Sequence, residues 1–327
     1  MAFITFIHGI ANKPISDELH RIWINALLAN DGLDLEVNGV DSQMVYWADV
    51  MYDKPVPAGQ SMESLAEESV AGEAGAVIED VDMSWMANMS AEETKLVTEV
   101  TAEVMTKAAA ETVTPLPVTA TQADGTKQES VTFERIPLPW FMKEPMMKML
   151  LRDVHHYLFN VEFKPRPAGP TFRVRDEIRS RLISALNKVT EAQRPHIVIS
   201  HSMGTVVAYD CIKRVADCPR LDGFITIGSP LGLDEVQDKL RSESGGPGWT
   251  REDGFPSEKV TGRWGNVYDR FDPVVGFDPQ FANDFQRNGQ RVVEDNNEQN
   301  FGRWRHDIVK YLSGANLRKL VAEMVGI

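Results

Sequence analysis

The run His196-Ile197-Val198-Ile199-Ser200-His201-Ser202-Met203-Gly204 constrains the fold of this chain more than any other. A β-branched apolar stretch ends at a serine with small residues two positions to either side, and a helical pattern follows. A buried strand, a sharp turn and a helix in direct succession form a unit of parallel α/β sheets. They are also the layout of a nucleophile elbow, where strand and helix backbones nearly touch and the flanking positions must be small. Gly204 meets that need after the serine; before it, Ser200 stands where glycine is usual. The pattern makes Ser202 a candidate nucleophile.

Strand and helix patterns alternate at both ends of the chain. Residues 2–7 form a short apolar run that stops at His8-Gly9 and predict a buried strand. Leu19, Ile22, Trp23, Ala26 and Leu27 mark one face of a helix over 16–30, with Ser16 or Asp17 as its cap, and 43–48 predict a second strand. After Pro170 the spacing predicts helix 174–192, strand 196–200, helix 203–216, strands 223–228, 264–270 and 290–295, and helix 306–325. Residues 1–52 and 171–327, about 210 residues, thus read as one doubly wound, mostly parallel α/β core. At 43% hydrophobic content the chain has the side chains to fill a core of that size.

Residues 53–170 break the rhythm and predict a mainly helical cap inserted into that core. Residues 61–111 hold twelve acidic side chains and two lysines, which supply −10 of the net charge of −14. Ala66, Val70, Ala74, Val77, Ile78 and Val81, and then Val97, Val100 and Val104, recur at helical spacing, implying apolar stripes beneath an acidic face. Residues 113–139, with Asp124-Gly125 at their centre, predict a loop or hairpin, and 140–159 a helix that Pro145 opens. Ten of the fourteen methionines lie between residues 51 and 149, and methionine suits adaptable apolar surfaces. A lid over an apolar substrate and plain packing of the insertion on the core both accommodate them.

The acidic balance argues against nucleic acid and anionic membranes as partners. Cys211 and Cys218 make neither a disulfide framework nor a zinc spacing, and are expected as free thiols on and just after one helix. His155 and His156 are adjacent, so they are expected on different sides of their helix and not as a metal pair. No stretch reaches the ~18 apolar residues of a membrane span, and Met1 leads straight into a strand pattern without a basic leader. A cytoplasmic location is the expectation.

A serine hydroxyl needs a base, and the base an orienting carboxylate. In elbow-type hydrolases these follow in the order serine, acid, histidine. His306 is the single histidine after Ser202 and the only candidate for the base. Gly265 through Val274 ends a predicted strand with two acids: Asp272, before Pro273, is the first candidate and Asp269 the second. His306 is expected within hydrogen-bond reach of both Ser202 and Asp272, while Asp307 is expected to start the last helix. The backbone N–H of Met203, after the serine, and that of Ile10, in the loop after the first strand, are the candidate oxyanion donors, with Gly9 permitting close approach and His8 supporting it.

With these residues the chain resembles α/β-hydrolases of the lipase/esterase type. His8-Gly9-Ile10 resembles the oxyanion segment of small lipases and Ser200 through Gly204 their elbow. Phe224-Ile225-Thr226-Ile227-Gly228-Ser229-Pro230 and Asn266 through Val274 are similar to the next two strand ends in lipase-like and GPI inositol-deacylase-like members. The resemblance covers the core and leaves 55–170 unmatched. It implies a sheet that begins at the third strand of the usual eight, and hydrolysis of carboxylic esters, as by a carboxylesterase or lipase, through an acyl-serine. No metal or organic cofactor is implied, and the expected partner is a small acyl ester with a hydrophobic acyl group. A thioesterase, amidase or acyltransferase would use the same triad, and a non-catalytic binding module is the alternative outside enzymes.

Overall fold

The computed structural model describes residues 1–58, 81–110, 116–121, 127–132, 140–244, 254–256, 258–276, 278–301 and 304–327. Along the chain run β1 (Phe3–Ile7), α1 (Ser16–Leu28), β2 (Asp41–Val45), α2 (Ala48–Met51), α3 (Ala91–Ala110), β3 (Leu116–Thr121), β4 (Lys127–Thr132) and α4 (Trp140–Leu158). There follow β5 (Glu162–Phe163), β6 (Phe172–Arg173), α5 (Val174–Leu186), β7 (His196–His201), α6 (Met203–Arg214), β8 (Leu221–Ile227) and α7 (Asp234–Ser244). β9 (Val260–Tyr268), β10 (Gln286–Arg287), β11 (Gln290–Arg291), β12 (Val293–Asn297), α8 (Ile308–Leu312) and α9 (Ala315–Val325) complete it.

The core is a six-stranded sheet in the order β12-β9-β8-β7-β1-β2, with every pairing parallel. Its inner strands β1, β7, β8 and the second half of β9 are buried on both faces because helices cover both, while the edge strands β2 and β12 are polar. Alternate residues divide between two clusters. Ile7, Val198, Phe224 and Trp264 pack toward α5, α6 and α7, whereas Ile4, Phe6, Ile197, Ile199, Ile225 and Val267 pack toward α1, α8 and α9. The chain winds outward from β1 to β2, then returns to lay β7, β8, β9 and β12 on the other side of β1. The order therefore reverses between β1 and β7, and the crevice beyond the carboxyl ends of strands at such a point is where α/β sheets bind ligands. The fold is α/β and doubly wound, as the residue pattern predicts.

Several elements depart from expectation: α4 begins at Trp140, so Pro145 lies inside it and does not open it, and α5 ends at Leu186. The last helix is two, α8 and α9. The chain turns at Gly314, where a Cβ would lie 2.3 Å from the Glu298 carboxyl, and Glu298 Oε2 accepts the N–H groups of Asn316 and Leu317 at 3.0 Å, capping α9. The 290–295 strand is instead the tip of the β10–β11 hairpin followed by β12. α7 is an addition; its acidic start, Asp234-Glu235, and the buried Val236 and Leu240 one turn apart are its sequence signals.

In the insertion, β3 and β4 pair antiparallel. The 66–78 stripe and the Asp124-Gly125 turn lie outside the described residues. Val97, Val100 and Val104 of α3 and Leu150, Leu151 and Val154 of α4 belong to the same apolar cluster as α5–α7. Tyr157 on α4 donates a 2.6 Å hydrogen bond to Asp210 on α6, a buried carboxylate that also receives Arg179 and Arg214. The insertion thus shares the core of the sheet it interrupts.

Candidate active site

Ser202 occupies the turn between β7 and α6 with φ 53° and ψ −131°, a backbone conformation that costs a non-glycine residue roughly 1–3 kcal/mol. What holds it there is on both sides: its N–H donates to the Ile227 carbonyl at 2.9 Å, and its own carbonyl accepts the Thr205 N–H at 3.0 Å and the Thr205 hydroxyl at 2.6 Å. A Cβ on Gly204 would stand 2.5 Å from the His8 carbonyl oxygen and 2.7 Å from that of Ile7, which explains the small residue two positions after the serine. Ser200 fits two positions before it, because its hydroxyl turns to the Ile225 carbonyl at 2.9 Å and ties β7 to β8.

Asp272 and His306 meet after β9 and β12. The His306 Nδ1–H donates to Asp272 Oδ2 at 2.7 Å, leaving Nε2 with its lone pair. Asp272 is fully buried and also accepts the Val274 N–H at 2.9 Å and the Tyr311 hydroxyl at 2.9 Å. Burial and the nearby Asp272 charge raise Tyr311 well above the ordinary phenol value, so it stays protonated as a donor. Asp269 does not reach the histidine: it accepts the Phe271 and Asn300 N–H groups at 2.8 and 2.7 Å and faces Arg305, and burial raises its pKa. His201, beside the serine, supports the base from behind, with its Nε2–H on the His306 carbonyl at 3.0 Å and the two rings 4.6 Å apart.

Ser202 Oγ and His306 Nε2 are both buried, and neither has a hydrogen-bond partner. The expected bond between them is therefore not formed, and His306 reaches Asp272 alone. Both line one cavity with Ile10, Ala11, Lys13, His201, Trp304 and Asp307. Its volume of about 20 Å³ has room for roughly one water. Serine–histidine bonds in sites without substrate are often long and tighten when substrate binds.

The loop after β1 is braced at successive carbonyls. Trp47 Nε1–H donates to the His8 carbonyl at 2.9 Å, and the Trp47 backbone N–H donates to His8 Nε2 at 3.0 Å. That second bond puts the His8 proton on Nδ1, which donates to the Gly9 carbonyl at 2.8 Å. Burial, aided by the Lys13 charge, holds His8 well below the ordinary imidazole value, so this neutral tautomer persists. Lys13 Nζ donates to the Ile10 carbonyl at 2.5 Å. In a trans peptide the N–H points away from its carbonyl, so His8's hold on Gly9 also sets the direction of the Ile10 N–H. Gly9 itself is so near the serine that a Cβ would lie 2.4 Å from Ser202 Cβ. Met203 begins α6, where the first backbone N–H groups have no partner within the helix and carry its positive end.

Asp307 caps α8 through the Val309 N–H at 2.8 Å. Cys211 and Cys218 are buried free thiols, both raised by burial. His155 and His156 correct the helical-wheel expectation: their Nδ1 atoms lie 3.1 Å apart beneath Trp85, and His155 Nε2 meets Glu93 on α3 at 3.0 Å. Adjacent side chains on a helix diverge by about 100°, but two imidazoles compressed between α3 and α4 are long enough to converge. Among the described residues no methionine lines the cavity, and Met149 instead packs with Ala11, Val81 and Trp304 around it. Trp47, Lys13, Tyr311 and Asp153 went unread; a carboxylate among Leu150, Leu151 and Val154 on one helix was the visible signal for the last.

No protein-family model matches this chain, and no curated protein matches it. Among solved structures it is similar to acetyl xylan esterase 1 from Thermoanaerobacterium sp., at 10% identity and TM-score 0.34 over all of this chain and 74% of that one. An esterase from Pyrococcus furiosus aligns at 12% identity and TM-score 0.31 over 67% of this chain and 92% of that one. An uncharacterized protein from Pseudomonas aeruginosa aligns at 9% identity and TM-score 0.29 over 98% and 45%. No described helix is long and apolar enough to cross a membrane.

Proposed function

We propose that the chain is a serine hydrolase that cleaves carboxylic esters through an acyl-serine. The observation that carries this is the presence, in the lining of one cavity, of an unpartnered buried serine hydroxyl on a strained turn and an unpartnered imidazole nitrogen whose other nitrogen is bound to a buried carboxylate. In this reading His306 Nε2 takes the proton of Ser202 as its oxygen attacks the acyl carbon. Asp272 stabilises the imidazolium, and the Ile10 and Met203 N–H groups receive the oxyanion. His306 then returns the proton to the leaving alcohol, and water repeats the sequence on the acyl-enzyme. No step requires a cofactor.

The cavity is small and its wall is partly apolar, through Ile10, Ala11 and Trp304, which favours an ester with a short apolar acyl group; with room for one water, it must widen to admit any acyl group. A fluorophosphonate probe should label the wild type and leave Ser202→Ala unlabelled. p-Nitrophenyl esters should be turned over fastest at two to four acyl carbons. Equal labelling of both proteins would sink the assignment of Ser202, and a folded wild type that neither labels nor hydrolyses any ester would favour a binding module.

A further inference from the structure

The inserted segment reaches the candidate oxyanion loop through one buried carboxylate. Asp153, on α4, is fully buried, and its Oδ2 accepts the Ala11 N–H at 3.1 Å and the Tyr52 hydroxyl at 2.9 Å. Its Oδ1 accepts Arg152 Nε and Nη2 at 3.1 and 3.0 Å, while that guanidinium lies over the Tyr52 ring at 4.5 Å. A carboxylate with this many donors is satisfied and held rigidly. Ala11 has φ 70°, in the left-handed region that favours glycine. A non-glycine residue stays there only when its surroundings over-determine it. Here the N–H is tied to Asp153 and the methyl packs among Val81, Met149 and Trp304.

The Ile10–Ala11 peptide is thereby gripped at both ends, its oxygen by Lys13 and its N–H by Asp153. That fixes the plane next to the peptide whose N–H is the candidate donor. Trp304, in the same cluster, stands two residues before His306 with its ring edge-on to the imidazole at 5.4 Å. α4 therefore abuts both the donor loop and the loop of the base.

We propose that Asp153 is a positioning residue that holds the oxyanion loop in register from the inserted segment, so that the insertion is part of the catalytic apparatus and not a detachable cover. The inference rests on the serine-hydrolase reading above. In Asp153→Ala, kcat on p-nitrophenyl acetate should fall about tenfold to hundredfold, short of the ~10²–10³ that loss of a whole donor costs. KM should stay within about threefold, and the Ki of an alkylboronic acid, whose tetrahedral adduct uses the same donors, should rise in parallel with the loss of kcat. Asp153→Asn keeps an acceptor for the Ala11 N–H and should restore most of kcat even where it melts earlier.

A folded Asp153→Ala with undiminished kcat, or an equal loss in the alanine and asparagine variants, would overturn the proposal while labelling of Ser202 left the hydrolase standing. Should Asp153→Ala fail to fold, hydrogen exchange decides: in wild type and Asp153→Asn the Ala11 amide should exchange at least about tenfold more slowly than exposed loop amides. Rapid exchange there overturns the proposal. If wild type neither labels at Ser202 nor cleaves an ester, the hydrolase reading fails and this one falls with it.

Discussion

Asp269 and Asp272 stand three residues apart, both buried, yet their neighbours give them different work. Asp272 receives His306 and Tyr311, whereas Asp269 receives two backbone N–H groups and Arg305, fastening the end of β9 to the segment that leads into His306. Asp272→Asn should lower kcat by on the order of 10⁴ with little change in KM, because an amide at that position favours the wrong imidazole tautomer. Asp269→Asn should act on the melting temperature more than on kcat. Steady-state kinetics and thermal melts of the two variants, side by side, check this, and a larger kcat loss in Asp269→Asn would reverse the assignment. Three residues of separation could not distinguish them in sequence, because both precede loops and both are followed by turn-compatible residues; the decision lies in where the chain returns thirty residues later.

Among the elements, α4, α5 and α6 are locked by a buried charge cluster. Asp210 on α6 accepts Tyr157 from α4 and Arg179 from α5, and Arg214 closes on it from one turn along its own helix. Burial opposes its charge, but the two guanidinium groups and the phenol outweigh that and lower its pKa. Removing the shared carboxylate leaves two arginines facing each other, and breaking a buried pair of this kind costs about 3–5 kcal/mol. Asp210→Ala should therefore lose about 3–5 kcal/mol in urea unfolding, whereas Tyr157→Phe, which removes one neutral donor, should cost about 1 kcal/mol. Equal effects of the two would show that the cluster does not act through its charges. The helical stripes of α1, α3 and α5 are visible in their spacing; this cross-link is not, because Tyr157, Arg179 and Asp210 are far apart in the chain and each reads as an ordinary helix residue.

For the whole molecule, buried neutral histidines set a direction with pH. Burial lowers His8 and His201 well below the ordinary imidazole value, His196 to about 4 and His156 to about 3. Their folded values lie below the unfolded value of about 6.5. Below that pH the unfolded chain binds protons that the folded one refuses, so the stability they contribute is complete above it and is lost as pH falls toward 4 and 3. Urea midpoints should hold level between pH 8 and 7 and drop progressively from pH 6 to 4. A midpoint that rose over that interval would mean that these rings are protonated in the folded protein. The acidic groups work in the same direction only where their own folded values are lowered, as for Asp210 and Glu243.

Local physics was enough to determine much of this protein. Continuous apolar runs and period-3.6 patterns located most strands and helices of the core. Steric need at Gly204 and Gly9, with the order of Ser202, Asp272 and His306, marks out a candidate site in the sequence. Only the tertiary structure decided that Asp272 and not Asp269 meets His306, that Ser202 and His306 line one water-sized cavity with no bond between them, and that His155 and His156 converge. It alone showed that Trp47, Lys13 and Asp153 hold the loop after β1. The division follows from range. Periodicity, turn chemistry and close packing between neighbours in the chain are properties of a few residues at a time. A hydrogen bond between Ala11 and Asp153, 142 positions apart, depends on every element that folds between them.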